Sequence, residues 1–131
     1  MAHPNDAHMQ FRLGSLLKIA GKLDEAERYL RQAIGLDHRP IHFHHEICEI
    51  LQLQNRLDGA IVVAEAAAVF FPEDAHIQCR LGMLLKAAGR FREAEHHLER
   101  AIALDGTHAH FHRELSEVIQ LQQRMTGFMG R

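Results

Sequence analysis

Four histidines recur every 34 residues along the chain, at His8, His42, His76 and His110. An unperturbed imidazole changes its charge at about pH 6.5, so a row of such side chains predicts a surface whose charge depends on pH. Duplication of one polar residue together with its surrounding sequence produces the same pattern without any function. The spacing alone does not choose between these two interpretations.

Metal binding is a second possible function of these residues, because the chain contains 12 histidines and the run His42-Phe43-His44-His45-Glu46. On a helix, His42 and Glu46 share a face, whereas His42 and His44 point in different directions. Zinc requires three or four ligands at about 2.0–2.3 Å, and equivalent residues on neighbouring helices start about 8–10 Å apart. We therefore expect no metal site and no cofactor.

Nucleophilic catalysis is a third possible function, because Cys79 lies three residues after His76 and could act as the nucleophile with His76 as its base. A Cys-His nucleophile also needs a group that orients the base, and the sequence offers none at a suitable spacing. The chain likewise has no Gly-rich phosphate loop, no nucleophile elbow and no clustered pair of carboxylates. We expect no catalytic residue and no enzymatic activity.

Composition limits the partners and the location of the protein. The 131 residues suit one domain over 1–131, and 15 Lys and Arg stand against 17 Asp and Glu without a basic run. Nucleic acid is therefore not an expected partner. No stretch approaches the roughly 18 apolar residues of a membrane span, no signal sequence precedes the first periodic segment, and Cys48 and Cys79 are too few for a disulfide framework. We expect a cytoplasmic protein that does not enter membranes.

The elements that position these residues are repeats. The stretch DAHMQFRLGSLLKIAGKLDEAERYLRQAIGLD, from Asp6, returns as DAHIQCRLGMLLKAAGRFREAEHHLERAIALD, from Asp74, at a 68-residue offset. A shorter period of half that length lies inside it. Its markers are Leu13, Ile47, Leu81 and Leu115, and also Ala26, Ala60 and Ala94.

This 34-residue unit, with Leu13-Gly14, Gly21, Ala26 and Pro40 in its first copy, resembles the tetratricopeptide repeat, in which each unit is a pair of helices. The resemblance implies an all-α fold, a right-handed solenoid of antiparallel helix pairs, with repeats at about 7–40, 41–74 and 75–108 and a partial repeat at 109–131. We expect seven helices, at about 7–20, 23–36, 41–54, 57–70, 75–88, 91–104 and 109–123. The tail from Met125 would begin an eighth helix that is missing.

Small residues and glycines support the same assignment on physical grounds. Gly14, Cys48, Gly82 and Ser116 share one position, where the first helix of each pair must let the second approach closely. Gly21, Asn55 and Gly89 fall at the ends of first helices, where a left-handed backbone conformation is favoured. The first helices depart from the family pattern by carrying Gln10, His44, Gln78 and His112 where the repeat usually has an aromatic residue.

In the tetratricopeptide repeat family, the first helices line a concave groove that binds a polypeptide. The resemblance implies that the groove residues of this chain are His8, Phe11, Ser15, Lys18, His42, His45, Glu49, Gln52, His76, Cys79, Met83, Lys86, His110, Arg113 and Glu117. A subset of the family binds the C-terminal carboxylate of chaperone peptides with Lys, Asn and Arg. Only Arg80 matches that set, and Ser15 and Glu49 replace the asparagines, so we expect no chaperone-tail binding.

The expected function is that of a scaffold that binds a protein or peptide ligand in this groove. The alternative is that the chain is the repeat arm of a larger enzyme of the glycosyltransferase, sulfotransferase or methyltransferase type. The apolar residues of the last helix predict a strip that an eighth helix would cover; they are Leu115, Val118, Ile119 and Leu121, and Met125, Phe128 and Met129 follow them. We expect two chains to cover each other's strips and form a homo-oligomer, the alternative being that the tail folds back over its own end.

Overall fold

The computed structural model describes the backbone of residues 6–129 and the side chains of residues 6–127. This part of the chain contains seven α-helices and no strand. In chain order they are α1 (Ala7–Ile19), α2 (Leu23–Leu36), α3 (Ile41–Leu53), α4 (Leu57–Phe70), α5 (Ala75–Ala87), α6 (Phe91–Leu104) and α7 (Ala109–Met129). Within the described residues, none of these helices has both the length and the apolar character that crossing a bilayer requires.

The bounds of the first six helices agree with the predicted ones to within one residue, but the prediction for the seventh was wrong. Helix α7 does not end near residue 123 and continues to Met129, so the segment expected to begin an eighth helix is the last part of α7. No proline interrupts it, and a single glycine, Gly127, costs a helix only about 1 kcal/mol. Gln122, just before the predicted end, donates a hydrogen bond to Glu95 of α6.

The contacts between residues divide the chain into two compact units, Met1–Ala64 and Glu65–Arg131. In the first unit α2 packs between α1 and α3, and in the second unit α6 packs between α5 and α7. Both central helices are strongly amphipathic and bury one apolar residue per turn, at Leu30 in α2 and Leu98 in α6. The prediction of one domain over residues 1–131 stays a prediction.

The close approach of paired helices depends on the small position noted in the sequence. A methyl group added at Gly82 would lie 2.6 Å from Leu98 Cγ and 3.2 Å from the carbonyl oxygen of Ala94, and one added at Gly14 would overlap Leu30. At the same position of α3, the Cys48 thiol is fully buried, 3.8 Å from the carbonyl oxygen of Ala60. The predicted role is confirmed for Gly14, Cys48 and Gly82, whereas Ser116, at the same position of α7, is exposed.

Local signals set the helix ends as expected. Gly21, Asn55 and Gly89 have φ angles of 81°, 59° and 77°, the left-handed conformation that ends a helix. At the other end, the Asp6 carboxylate accepts hydrogen bonds from the backbone N–H groups of His8 and Met9, and Asp74 caps α5 in the same way. These caps satisfy N–H groups that have no partner inside the helix.

Candidate functional site

The predicted histidines of the first unit belong to a cluster of rings between α1 and α3. The rings of His8 and His42 stack with centroids 6.2 Å apart. Phe11 meets the edge of His42 at 4.9 Å and stacks on Phe43 at 4.9 Å. Phe43 is fully buried and packs beneath the more exposed rings of the cluster. It was not among the predicted site residues.

A partly buried lysine lies on the same pair of helices. Lys18 of α1 donates a hydrogen bond to Glu46 of α3 and lies 3.4 Å from Glu49, while the Ser15 hydroxyl donates to the second oxygen of Glu46. Burial opposes the charge of Lys18, but the hydrogen bond and the charge of Glu46 outweigh it, so its pKa is raised. Lys18 is therefore a paired cation, with a side chain only 17% exposed.

The second unit repeats this arrangement at the 68-residue offset of the sequence. Lys86 Nζ of α5 lies 2.7 Å from Glu114 Oε1 and 2.9 Å from Glu117 Oε2, both on α7. The pKa of Lys86 is raised, because the two carboxylates outweigh the effect of burial, and the hydrogen bond from Lys86 lowers the pKa of Glu117. We call the two groups, Lys18 with Glu46 and Glu49 and Lys86 with Glu114 and Glu117, the acid–lysine–acid triads.

Each triad shields its lysine and one carboxylate and leaves the other carboxylate accessible. Glu49 and Glu117 have side chains that are 50% and 52% exposed, against 14% for Glu46 and 10% for Glu114. With one positive and two negative charges, each triad carries a net charge of −1. The most accessible part of each triad is therefore a carboxylate, and the lysine is largely shielded.

Aromatic and histidine rings also cluster in the second unit. His76 contacts both His108 and Phe111, with centroids 4.8 and 5.4 Å apart, and His110 lies 6.3 Å from Phe111. The guanidinium of Arg113 lies 3.2 Å from His110 Nδ1 and is exposed. Phe111 is buried, as is Phe43 at the equivalent position of the first unit.

The remaining predicted residues differ in accessibility. Gln52 is exposed, and His45 and Met83 are partly buried. Cys79 is only 3% exposed, so its thiol cannot contact a partner directly. Burial, assisted by the charge of Glu114, raises the pKa of Cys79 to about 11. The thiol is therefore protonated at neutral pH, which opposes a Cys79–His76 nucleophile.

The described residues contain no group of three His, Cys, Asp or Glu side chains that could hold a metal ion. They do contain two buried polar contacts at the positions where the repeat usually has an aromatic residue. His97 Nδ1 lies 2.8 Å from Gln78 Oε1, and His44 Nε2 lies 2.8 Å from the carbonyl oxygen of His38. These contacts show how polar residues replace the aromatic residue in the core.

The apolar strip predicted on α7 is smaller than the sequence indicated. Val118 is fully buried, and Leu115 and Leu121 are partly buried. Among the described side chains of α7, Ile119 and Met125 are the exposed large apolar residues, at 36% and 56%, while Phe128 and Met129 lie outside the described side chains. Self-association through α7 stays a prediction. The most exposed apolar residues of the first unit include Leu16 and Ile19 of α1, at 64% and 79%.

Comparison with known proteins agrees with this architecture. Two family models, both described as tetratricopeptide repeat, match residues 7–38 and 75–108, together just over half of the chain. No curated protein sequence matches.

Several solved structures are similar in fold. The first repeat domain of Spaghetti (RPAP3), bound to an HSP90 peptide SRMEEVD, matches with a TM-score of 0.80 at 18% identity over 91% of this chain and 94% of that one. MamA 41-end from Desulfovibrio magneticus RS-1 matches with a TM-score of 0.77 at 18% identity, over 97% and 76%. The Sgt2 domain from Aspergillus fumigatus matches with a TM-score of 0.80 at 16% identity, over 93% and 82%.

Proposed function

This chain belongs to the tetratricopeptide repeat family, and on that basis we propose that it is a protein-interaction module whose first helices bind a polypeptide segment of a partner. In each unit, the surface that would receive the segment is formed by two first helices, α1 with α3 and α5 with α7. We call these surfaces the first-helix faces. Similar structures include a domain bound to a peptide, which supports this class of function.

The observation that carries the proposal is the repeated juxtaposition of rings and an exposed carboxylate on both first-helix faces. The accessible rings are those of His8, His42, His76 and His110 and the partly buried ring of Phe11, and they supply flat contact area that loses little conformational entropy on binding. Glu49 and Glu117 supply strong hydrogen-bond acceptors at equivalent places. A polypeptide offers both complements, apolar side chains for the rings and N–H donors or cationic side chains for the carboxylates.

The charges favour a partner segment with lysine or arginine. Lys18 and Lys86 are engaged by two carboxylates each, so they do not attract an acidic segment as free cations would. Arg113 places a cation at one edge of the second face, and this face is therefore mixed in charge. An acidic peptide such as the SRMEEVD ligand of the RPAP3 domain would approach Glu49 and Glu117 with like charge, which costs affinity.

A role without catalysis is part of this proposal. Its support is the buried, protonated thiol of Cys79, the nearest approach to a nucleophile in the sequence. The alternative function, the repeat arm of a larger enzyme, would use the same first-helix faces to recruit a substrate. Reading the complete open reading frame separates these two functions.

Site-specific photo-crosslinking in the cells that produce this protein tests the proposed face. A photoreactive residue replaces Gln52, which is exposed on α3, or Gln32, which is exposed on α2 and serves as the matched control. We expect discrete crosslinked partners from position 52 and not from position 32. Identical products from both positions, or no product from position 52, would contradict the proposed face.

A further inference from the structure

The outer face of α1 is apolar and uncovered, unlike the same face of every other first helix. Leu13 and Leu16 are 38% and 64% exposed, and Met9 is partly buried. The equivalent residues are Phe43, Ile47 and Ile50 in α3, Ile77, Leu81 and Leu84 in α5, and Phe111, Leu115 and Val118 in α7. All of these except Leu115 are at most 1% exposed, so this face is covered wherever it recurs.

Both units show what covers such a face. In the first unit α2 packs on α3, and in the second unit α6 packs on α7. These covering helices share their chemistry, since each has a glutamate followed by a buried leucine three residues later and a partly buried isoleucine seven residues later. The residues are Glu27, Leu30 and Ile34 in α2, and Glu95, Leu98 and Ile102 in α6.

The glutamate of the covering helix is bound by polar residues of the helix pair that it covers. Glu27 accepts hydrogen bonds from Arg56 and Gln54, which follow α3, and Glu95 accepts one from Gln122 of α7. The bond to Arg56 joins opposite charges, and Glu27 is only 15% exposed. An ion pair therefore fixes the edge of the covering helix on α3.

The uncovered face of α1 has the corresponding cation in place. Lys22 occupies the position in the first repeat that Arg56 occupies in the second, because it directly precedes α2 as Arg56 directly precedes α4. It is exposed. The apolar residues and the cation that receive a covering helix on α3 thus recur on α1 and at its end.

We infer that the outer face of α1, formed by Met9, Leu13 and Leu16 with Lys22 at its edge, is a docking site for an amphipathic helix of a partner protein. The helix presents a glutamate to Lys22, a bulky aliphatic residue three positions later to Leu16, and another seven positions later to Leu13. This site is separate from the first-helix face, because Phe11 and Lys18 lie on another side of α1.

A peptide taken from the chain itself is the probe that tests this site. Residues 90–105 contain α6 with the glutamate, leucine and isoleucine of a covering helix, and a fluorescent label on the peptide reports binding to the intact chain. We expect saturable binding that weakens about tenfold or more in Leu13→Gln and Leu16→Gln, since each removes a leucine contact from the interface. Leu36→Gln is the control, because Leu36 is 52% exposed on α2 and its replacement should leave the affinity unchanged.

A charge exchange tests the orientation of the docked helix. Lys22→Glu should weaken binding of the natural peptide, and the peptide variant Glu95→Lys should recover affinity for Lys22→Glu but not for the unmodified chain. Circular dichroism verifies that each protein variant keeps its helical content. If neither Leu13→Gln nor Leu16→Gln weakens peptide binding more than Leu36→Gln does, the proposed site is wrong.

Two further outcomes would also overturn the inference. One is absence of saturable binding up to about 1 mM, the weak end of specific association. The other is that the peptide does not bind and the intact chain forms a dimer that Leu16→Gln dissociates. That result would assign the face to a second copy of the chain. Crosslinking from position 52 is independent of all these outcomes, so failure of this site and failure of the proposed function are distinguishable.

Discussion

Lys86 and Glu114 form an ion pair between α5 and α7, with Nζ and Oε1 2.7 Å apart and side chains only 23% and 10% exposed. Two charges removed from water in this way depend on each other, since loss of one leaves the other buried without compensation. Glu117, at 2.9 Å, shares the same lysine but is half exposed. The two carboxylates of this triad should therefore respond differently to mutation.

Replacement of Lys86 by methionine tests this dependence. Lys86→Met should lower the free energy of unfolding by about 1.5–3 kcal/mol, the usual value of a hydrogen bond to a charged group, because Glu114 loses its partner. Glu117→Gln should change it by only about 0.5 kcal/mol, as is usual at exposed positions. Urea unfolding followed by circular dichroism measures both, and equal midpoints for the two variants would show that the pair is not coupled to folding.

The glycines of the helix pairs give a second prediction. Gly82→Ala should destabilise the protein by about 1–3 kcal/mol, the cost of overpacking a core, because the new methyl group meets Leu98 Cγ at 2.6 Å. Gly35→Ala is the matched control, since no atom lies within 4 Å of its added methyl group and alanine favours a helix by about 1 kcal/mol. Thermal unfolding should shift in opposite directions for the two variants, and a stabilised Gly82→Ala protein would contradict the assigned packing.

Protonation of His97 should make the stability depend on pH. Burial, followed by the charges of His96 and Arg100, lowers the pKa of His97, although Glu93 opposes the shift. The unfolded chain therefore binds a proton near pH 6.5 whereas the folded chain binds it only at lower pH, so stability falls as the pH decreases below about 6.5.

Chemical denaturation at pH 7.5 and pH 5.5 measures this effect. The decrease in unfolding free energy should be smaller in His97→Gln than in the unmodified chain, because glutamine does not take up a proton. His112→Gln, at an exposed site, should keep the full decrease. The same pH dependence in both variants would rule out His97 as its source.

The thiol of Cys79 should be unreactive in the folded protein. Its pKa of about 11 against an ordinary 9.0 reduces the thiolate fraction about a hundredfold at neutral pH, and its burial restricts access. The variant Cys48→Ala isolates this thiol, because the sequence contains only two cysteines, and alanine only removes the sulfur atom of Cys48. Reaction with a thiol reagent at similar rates in native buffer and in denaturant would show that Cys79 is accessible.

The sequence predicted the helices well where a local signal sets their ends. Gly21, Asn55 and Gly89 end first helices, and Asp6 and Asp74 begin them, because these residues stabilise end conformations by themselves. Helix α7 lacks such a stop signal near residue 123, so hydrophobic periodicity alone did not define its end. Its predicted end was therefore six residues too early.

The candidate site was predicted only in part, since Glu46 and Glu114 were missed. They lie one helical turn before Glu49 and Glu117, and the signal for them was present, because Lys18, Glu46 and Glu49 recur together at the 68-residue offset. The family resemblance placed Lys18 and Lys86 among the groove residues, and the structure pairs each with two carboxylates. Which helix covers which apolar face also required the structure, since periodicity is the same in covered α3 and uncovered α1.

The central claim is that the first-helix faces bind a polypeptide through their exposed carboxylates. The most direct measurement begins with peptides selected from a random displayed library for binding to the intact chain. The affinity of these peptides is then measured for the variants Glu49→Lys and Glu117→Lys. Glu99→Lys, at an exposed site of α6, is the control. We predict selected peptides rich in lysine and arginine whose affinity falls about tenfold or more with Glu49→Lys or Glu117→Lys and stays unchanged with Glu99→Lys. Peptides that bind all three variants equally would contradict the account.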